Sequence, residues 1–452
     1  MLKHRALLLL AVLLLLVSCG NKQTKLPPLE GDVAELASMF VEKLATNDFA
    51  GAVEFFDANM LKELPEAKMQ EVWQTLQEQV GAFQSETNKE IEEMGQAQIV
   101  VLTAQFERAL LDVRMTFNQD KRIIGLFFVP ATGSEASYEP PSYGQPANFT
   151  ETEVIVGEGE WKLPGTLTIP AGDGPFPAVV LVHGSGPNDR DETIGITGAN
   201  KPFKDLAWGL ANKGIAVLRY DKRTKVHGEK IIKLDTFTVK EETIDDAIAA
   251  VAMLQNHEKI NNQEIYILGH SLGGMLAPRI GKEADGRLAG LIILAGAARP
   301  LEDLILEQSR YLAAADGKIS ELEAENIRQL EALLERIKDP DLSLDTPAQE
   351  LLNVPASYWL DLRDYKPAAT AATLELPMLI LQGERDYQVT MDDFALWQEA
   401  LASYSNVQLK SYPGLNHLFI TGDQPSVPAE YEQPGNIEKT VIDDIAGWIH
   451  QH

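Results

Sequence analysis

The segment Ile265-Tyr266-Ile267-Leu268-Gly269-His270-Ser271-Leu272-Gly273-Gly274 constrains this chain more than any other. An apolar run rich in β-formers ends at a glycine, and a serine follows two residues later. Further glycines then open Met275-Leu276-Ala277, which has helical character. A G-x-S-x-G pentapeptide between strand and helix describes a very tight turn. The residues flanking the serine must be nearly free of side chain, which accounts for Gly269 and Gly273. Such a turn lifts the Ser271 hydroxyl above the carboxyl end of a sheet with a helix N-terminus beneath it. Exposed amides there stabilise developing negative charge. Chance matches to the pentapeptide are common in glycine-rich chains; its strand-before, helix-after context gives it weight.

The surroundings of that turn alternate strand and helix. Ala178 to Val182 is a continuous apolar strand, as expected when helices cover both faces of a sheet. Helix Phe203–Leu210, strand Ile215–Tyr220 and a long helix over Thr238–His257 follow. Beyond the turn, Leu291–Leu294 and Met378–Leu381 read as buried strands, and Val407–Ser411 as a more polar edge or near-edge strand. Repeated β-then-α units with right-handed crossovers predict an α/β fold built on a mostly parallel sheet. Pro300 to Thr373 interrupts the alternation with a charged, mainly helical insertion. Within it, Ser320 and Glu323 form a capping box for a helix carrying Ile327, Leu330, Leu334 and Ile337. An insertion at that point suits a lid, placed at about 301–372.

The 452 residues allow roughly three units of about 150 each. Ahead of the α/β region, Val33, Leu36, Phe40 and Leu44 share one helical face. Met69, Val72, Trp73, Leu76, Val80 and Phe83 form a longer stripe of the same period. After Gly95 the period becomes two: Leu111, Val113, Met115 and Phe117 alternate with Asp112, Arg114 and Thr116, and a polar turn leads to Ile123–Val129. This predicts a small α+β domain over 32–130. A Pro- and Gly-rich linker covers 131–148, and the α/β domain occupies 149–452.

The N-terminus has the layout of an export signal. Lys3 and Arg5 precede an unbroken apolar run, Ala6 to Val17, too short to span a bilayer, which takes about 20 residues. The run ends in Leu16-Val17-Ser18-Cys19-Gly20, which resembles the lipobox of bacterial lipoproteins. That resemblance implies a lipoprotein signal peptide over residues 1–19 with its lipobox cysteine, Cys19 being lipidated and becoming the mature N-terminus, and 20–31 as tether. The product would be exported and lipid-anchored to a bacterial membrane, on the periplasmic or cell-surface side. Cys19 is the chain's single cysteine, so no intrachain disulfide can form. The formal charge of −28 opposes phosphate backbones and anionic headgroups and argues against nucleic-acid binding.

Serine needs a base, and the base an orienting acid. In an architecture of this kind the order is Ser, acid, His. After strand Met378–Leu381 comes Gln382-Gly383-Glu384-Arg385-Asp386; after the last strand comes Pro413-Gly414-Leu415-Asn416-His417. Both are loops at the sheet edge that carries Ser271, where α/β sheets bind ligands. Of eight histidines, His417 alone lies in the loop directly after the last strand, His450 and His452 being at the frayed C-terminal end. Asp386 is the preferred acid, with Glu384 and Asp392 as rivals.

With these pieces in hand, residues from about 150 to 450 resemble the α/β-hydrolase superfamily, specifically bacterial esterases bearing an N-terminal accessory domain of unknown function. His183-Gly184-Ser185-Gly186 after the first core strand strengthens the resemblance. By that likeness the backbone amides of Ser185 and Leu272 form the oxyanion hole. Arg219-Tyr220-Asp221-Lys222-Arg223 resembles the family's next loop, with Thr224 where glycine is common. The Asp189-Arg190-Asp191 stretch is open between substrate contact and a salt-bridged brace. The likeness implies hydrolysis of short-chain acyl esters through Ser271, Asp386 and His417, with no cofactor. Residues 257–258 do not continue into a His-Glu zinc motif, and no metal site is expected. Two alternatives stand beside this: a serine peptidase of the prolyl-oligopeptidase type, and a non-catalytic binding lipoprotein.

Overall fold

The computed structural model describes residues 26–94, 97–131, 138–195, 198–234, 236–315 and 317–452. The expected signal segment, Cys19, residues 20–25 of the tether and residues 132–137 of the linker lie outside them.

The first unit sets helices against an antiparallel sheet. Helix Val33–Ala45 begins where Asp32 accepts a hydrogen bond from the Ala34 amide at 2.9 Å, and it buries Leu36, Phe40 and Leu44. Helix Glu66–Val80 follows after two short helices. The sheet has the order β1 (Phe83–Met94), β2 (Ala97–Phe106), β3 (Leu110–Phe117) and β4 (Ile123–Pro130). Leu111, Val113, Met115 and Phe117 are all buried, as the alternation predicts. Asp112 on the other face is also buried, where its carboxylate accepts the Thr103 hydroxyl at 2.7 Å. In the β3–β4 turn, Asn118 Oδ1 accepts from the amides of Asp120 and Arg122.

One expectation fails here. Phe83 does not extend the helical stripe; the helix stops at Gly81, whose φ of 83° reverses the chain, and Phe83 opens β1. Its ring still meets the same core, 6.5 Å from Trp73, so helical spacing mimicked a shared destination. The onset of strand structure is therefore before Gly95. β1 is largely polar and exposed at the sheet edge, and carries no apolar alternation to betray it.

The second unit is built on an eight-stranded sheet. It adds β5 (Phe149–Val156), β6 (Leu163–Pro170), β7 (Phe176–Val182), β8 (Ala216–Tyr220), β9 (Ile260–His270), β10 (Gly290–Leu294), β11 (Met378–Gly383) and β12 (Val407–Tyr412). Their spatial order is β12-β11-β10-β9-β7-β8-β6-β5. The pairs from β8 through β12 are parallel, and β6 and β5 add antiparallel strands at one side. Ala178, Val180 and Val182 of β7 feed the core under helices Asp245–Gln255 and Leu272–Glu283. Val179 and Leu181 feed the opposite core, with Pro202–Ala211 and Lys439–Ile449. Two covered faces are why these strands read as unbroken apolar runs. β12 is the partly exposed edge strand expected.

Between β10 and β11 the insertion folds as helices Leu301–Ala314, Glu321–Lys338, Ala356–Leu362 and Pro367–Ala371. The Ser320–Glu323 capping box is formed. The insertion is fastened to the site-bearing parts of the sheet domain. Tyr311 stacks on Tyr387 at 5.1 Å, Gln308 donates to the Gln388 carbonyl, and the Tyr365 hydroxyl donates to the Met275 carbonyl at 2.7 Å. Arg279 and Asp361 add a two-pronged ion pair.

Candidate active site

Ser271 sits between β9 and helix Leu272–Glu283 with φ 54° and ψ −116°. A non-glycine residue held there stores strain of about 1–3 kcal/mol, which the surroundings must enforce. They do so by close approach. A methyl at Gly273 would lie 2.2 Å from the Val182 carbonyl oxygen, and one at Gly269 2.2 Å from that of Gly273. No side chain fits at either place. The Ser271 amide is tied to the Leu294 carbonyl at 3.0 Å, which anchors the turn to β10.

The loop after β11 brings Asp386, and the loop after β12 brings His417. His417 Nδ1 lies 2.7 Å from Asp386 Oδ2, both side chains being buried. Asp386 is fixed by further donors: the amides of Gln388 and Val389 on Oδ1, at 2.7 and 3.0 Å, and Gln382 Nε2 on Oδ2 at 3.1 Å. The rivals are elsewhere. Glu384 accepts the Ser411 hydroxyl at the surface, and Asp392 is exposed in the first turn of helix Met391–Leu401. His417 approaches the serine turn through its backbone, whose carbonyl lies 3.0 Å from His270 Nε2, with the two rings 4.7 Å apart.

The turn after β7 closes the site from the other side. A methyl at Gly184 would stand 3.2 Å from Ser271 Cβ and 3.6 Å from Oγ, so this glycine keeps the ground before the hydroxyl clear. Ser185 follows it. Leu272, the first residue of its helix, carries an N–H with no intrahelical acceptor. The His183 imidazole lies beneath, 4.8 Å from the Phe203 ring, and burial lowers it to about 4, so it is neutral. Its Nε2 is 3.0 Å from the Asp189 carbonyl.

Several charged groups here carried no assigned role in the sequence. Glu192 is buried, and its Oε1 accepts from the Gly184 amide at 2.8 Å. Its Oε2 is 3.0 Å from His270 Nδ1, an ion contact out of line for a hydrogen bond. Burial alone would push His270 down and Glu192 up; the attraction between them reverses both, raising His270 and lowering Glu192. His270 thus ties the segment after β7 to the loop that carries His417. The Asp189-Arg190-Asp191 stretch acts as a brace: Arg190 makes a two-pronged pair with Asp221 at 3.1 and 3.0 Å and reaches Glu153 at 2.6 Å. Two carboxylates that faced substrate in one reading are thereby engaged. Asp189 Oδ1 accepts from the amides of Asp191 and Thr193, and Asp191 meets Arg219. Among the described residues no group of three or more His, Cys, Asp or Glu side chains could hold a metal.

The family described as "Serine aminopeptidase, S33" matches residues 195–424, and "Protein of unknown function (DUF3887)" matches residues 37–126. Esterase EstD of Thermotoga maritima is 39% identical over 413 residues, which cover 91% of this chain and 94% of that protein. Est1E from Butyrivibrio proteoclasticus superposes with a TM-score of 0.42 at 16% identity, covering 66% of this chain and 98% of the other. The proline iminopeptidase of Mycobacterium smegmatis gives 0.43 at 17%, covering 67% and 98%. The fold is that of the α/β-hydrolases, with a separate small antiparallel-sheet domain in front. The chain belongs to the α/β-hydrolase esterase family to which the S33 match and the EstD likeness point, and it is a hydrolytic enzyme.

Proposed function

We propose that this enzyme is a carboxylesterase that hydrolyses short-chain acyl esters through Ser271, His417 and Asp386. Ser271 Oγ attacks the ester carbonyl while His417 Nε2 takes its proton. The carbonyl electron pair moves to oxygen, and the amides of Ser185 and Leu272 receive that oxyanion. Collapse expels the alcohol, which takes the proton from His417. Water, deprotonated by His417, then attacks the acyl-enzyme and releases the acid. Asp386 holds the imidazole in the tautomer with Nδ1 protonated and stabilises the cation formed in each half-reaction.

The observation that carries the reading is the buried 2.7 Å contact between His417 Nδ1 and Asp386 Oδ2, beside a serine held at positive φ. The insertion, fastened at Tyr311, Tyr365 and Asp361, is proposed as the lid forming the acyl-facing wall. The likeness to Esterase EstD favours esters over amides. The S33 description keeps a peptidase as the second reading. The non-catalytic binding lipoprotein does not fit the family to which the chain belongs. We further propose, from the sequence of residues 1–19, that the protein is exported and anchored through a lipidated Cys19.

A panel of nitrophenyl esters of increasing acyl length, run beside aminoacyl nitroanilides, tests the reading. Turnover falling with acyl length, and low on anilides, is expected. Faster hydrolysis of the anilides would establish the peptidase instead, and no turnover of any ester in the panel would overturn the carboxylesterase reading.

A further inference from the structure

Beneath the oxyanion-side loop lies a buried charge pair that the triad does not use. Lys222, two residues past β8, is 2% exposed. Its ammonium donates to the Gly184 carbonyl at 2.6 Å and lies 2.7 Å from Glu242 Oε1. Glu242 is itself buried, in a turn of π-helix over Lys240–Ile244, a geometry that often marks functional sites. Its other oxygen, Oε2, accepts the hydroxyl of Tyr358 at 2.7 Å. Tyr358 belongs to helix Ala356–Leu362 of the insertion. Next to it, Ser357 both donates to and accepts from the backbone of Phe237, which docks that helix on the segment leading to Glu242.

The position of the lysine matters because of which carbonyl it holds. Gly184 C=O and Ser185 N–H are the two ends of one peptide unit. In a trans peptide they point in opposite directions, so anchoring the oxygen aims the N–H. A cation on the oxygen also draws density from the nitrogen and makes its N–H a stronger donor. Glu192 holds the preceding amide at 2.8 Å, and Asn188 Nδ2 lies 3.0 Å from the Ser185 carbonyl, so the peptide is restrained from both neighbours. A lone brace would need no charge. A buried ammonium is kept only when paired, and here its pairing is completed by a residue of the insertion.

We infer that Tyr358, Glu242 and Lys222 form a positioning relay through which the docked insertion orients and polarises the Ser185 amide, making oxyanion stabilisation depend on the insertion being in place. The inference rests on the proposed roles of Ser271 and Ser185. None of the three relay residues touches a reacting atom. Their contribution is confined to states in which the substrate oxygen bears negative charge.

The test uses the full chain with the variants Tyr358→Phe and Lys222→Met/Glu242→Leu, the latter removing both charges so that neither is left buried alone. For each folded variant, kcat and KM on a nitrophenyl ester are measured. Inhibition is also measured by a trifluoromethyl ketone and by its carbinol. Ser271 Oγ adds to the ketone carbonyl, giving a tetrahedral oxyanion with the serine proton on His417; the carbinol cannot add. The double variant should lose about tenfold to a hundredfold in kcat, below the 10²–10³ of deleting an oxyanion donor outright. KM should be nearly unchanged, ketone affinity should fall by a similar factor, and carbinol affinity should hold. Tyr358→Phe should move the same quantities in the same direction by less, and it carries the test alone if the double variant does not fold. Unchanged kcat, or equal weakening of ketone and carbinol, overturns the relay. Ser271→Ala, run in parallel, separates the two claims. An inactive Ser271→Ala beside a fully active double variant sinks only the relay, whereas an active Ser271→Ala sinks the reading beneath it.

Discussion

Replacing Asp386 with asparagine is a stringent test because the surrounding donors dictate how the new side chain must lie. Asp386 Oδ1 accepts two backbone amides, from Gln388 at 2.7 Å and Val389 at 3.0 Å. An asparagine has one oxygen, and those donors require it at that position, so its NH2 takes the place of Oδ2. There it faces Gln382 Nε2, which is also committed to the carbonyls of Gly383 at 3.1 Å and Val389 at 2.8 Å and has no free acceptor to offer. It also faces His417 Nδ1, which must now accept. The imidazole proton then resides on Nε2, the nitrogen assigned to take the serine proton. Loss of the correct tautomer costs on the order of 10⁴ in kcat, about 5 kcal/mol of barrier. The opposed donors add about 1–3 kcal/mol of lost stability. Steady-state hydrolysis of a nitrophenyl ester, with a thermal melt as fold control, reads both. Glu384→Gln, at the surface against Ser411, should change kcat less than about twofold, since surface substitutions away from special features are usually near neutral. A folded Asp386→Asn enzyme within tenfold of the parent, or a larger loss from Glu384→Gln, would refute the assignment of the acid.

Two further predictions concern the scaffold of the site. Gly273→Ala places a methyl 2.2 Å from the Val182 oxygen, a backbone atom that cannot swing away, so the turn itself must shift. The expected cost is at least about 3 kcal/mol, the upper range for overpacking, with loss of esterase activity; equilibrium denaturation checks it. The second concerns pH. The folded-state pKa of His270 is raised above the ordinary imidazole value of 6.5, so its contribution is complete below that value and is lost as pH rises through the folded-state pKa. Glu192 is lowered from 4.5, so its contribution is complete above that value and is lost as pH falls through its folded-state pKa. The pair therefore supports the fold best between those two values. Melting curves of the parent and His270→Gln should converge as pH is raised from 6 to 9, and a constant gap would show that the imidazole charge is irrelevant.

The parts of the molecule that the sequence disclosed are those governed by short-range rules. Gly269 and Gly273 announce a turn that only glycine permits, and the apolar runs of β7, β9, β10 and β11 announce strands covered on both faces. That Ser271, Asp386 and His417 all fall on one edge follows from a parallel sheet, which returns every strand end to the same side. What stayed hidden depends on pairing across long separations. Glu192 and His270, or Lys222 and Glu242, have no spacing that announces them, and His270 reads only as the variable residue of the turn. β1 was hidden for a different reason. Its exposed, polar edge has no apolar period, while Phe83 reaches the core at a helical interval from Val80. The acidic loop 189–191 was legible as charged, but only Arg190 gripping Asp221 distinguishes a brace from a binding surface.

The central claim is that Ser271 is a nucleophile activated by His417 and Asp386. Covalent capture by a fluorophosphonate, followed by intact-mass measurement and peptide mapping, tests it most directly. The account predicts one adduct per folded chain, located on Ser271, with esterase activity falling in step with labelling and no adduct on Ser271→Ala. A folded, ester-hydrolysing protein that stays unlabelled, or carries its adduct on another residue, would contradict it.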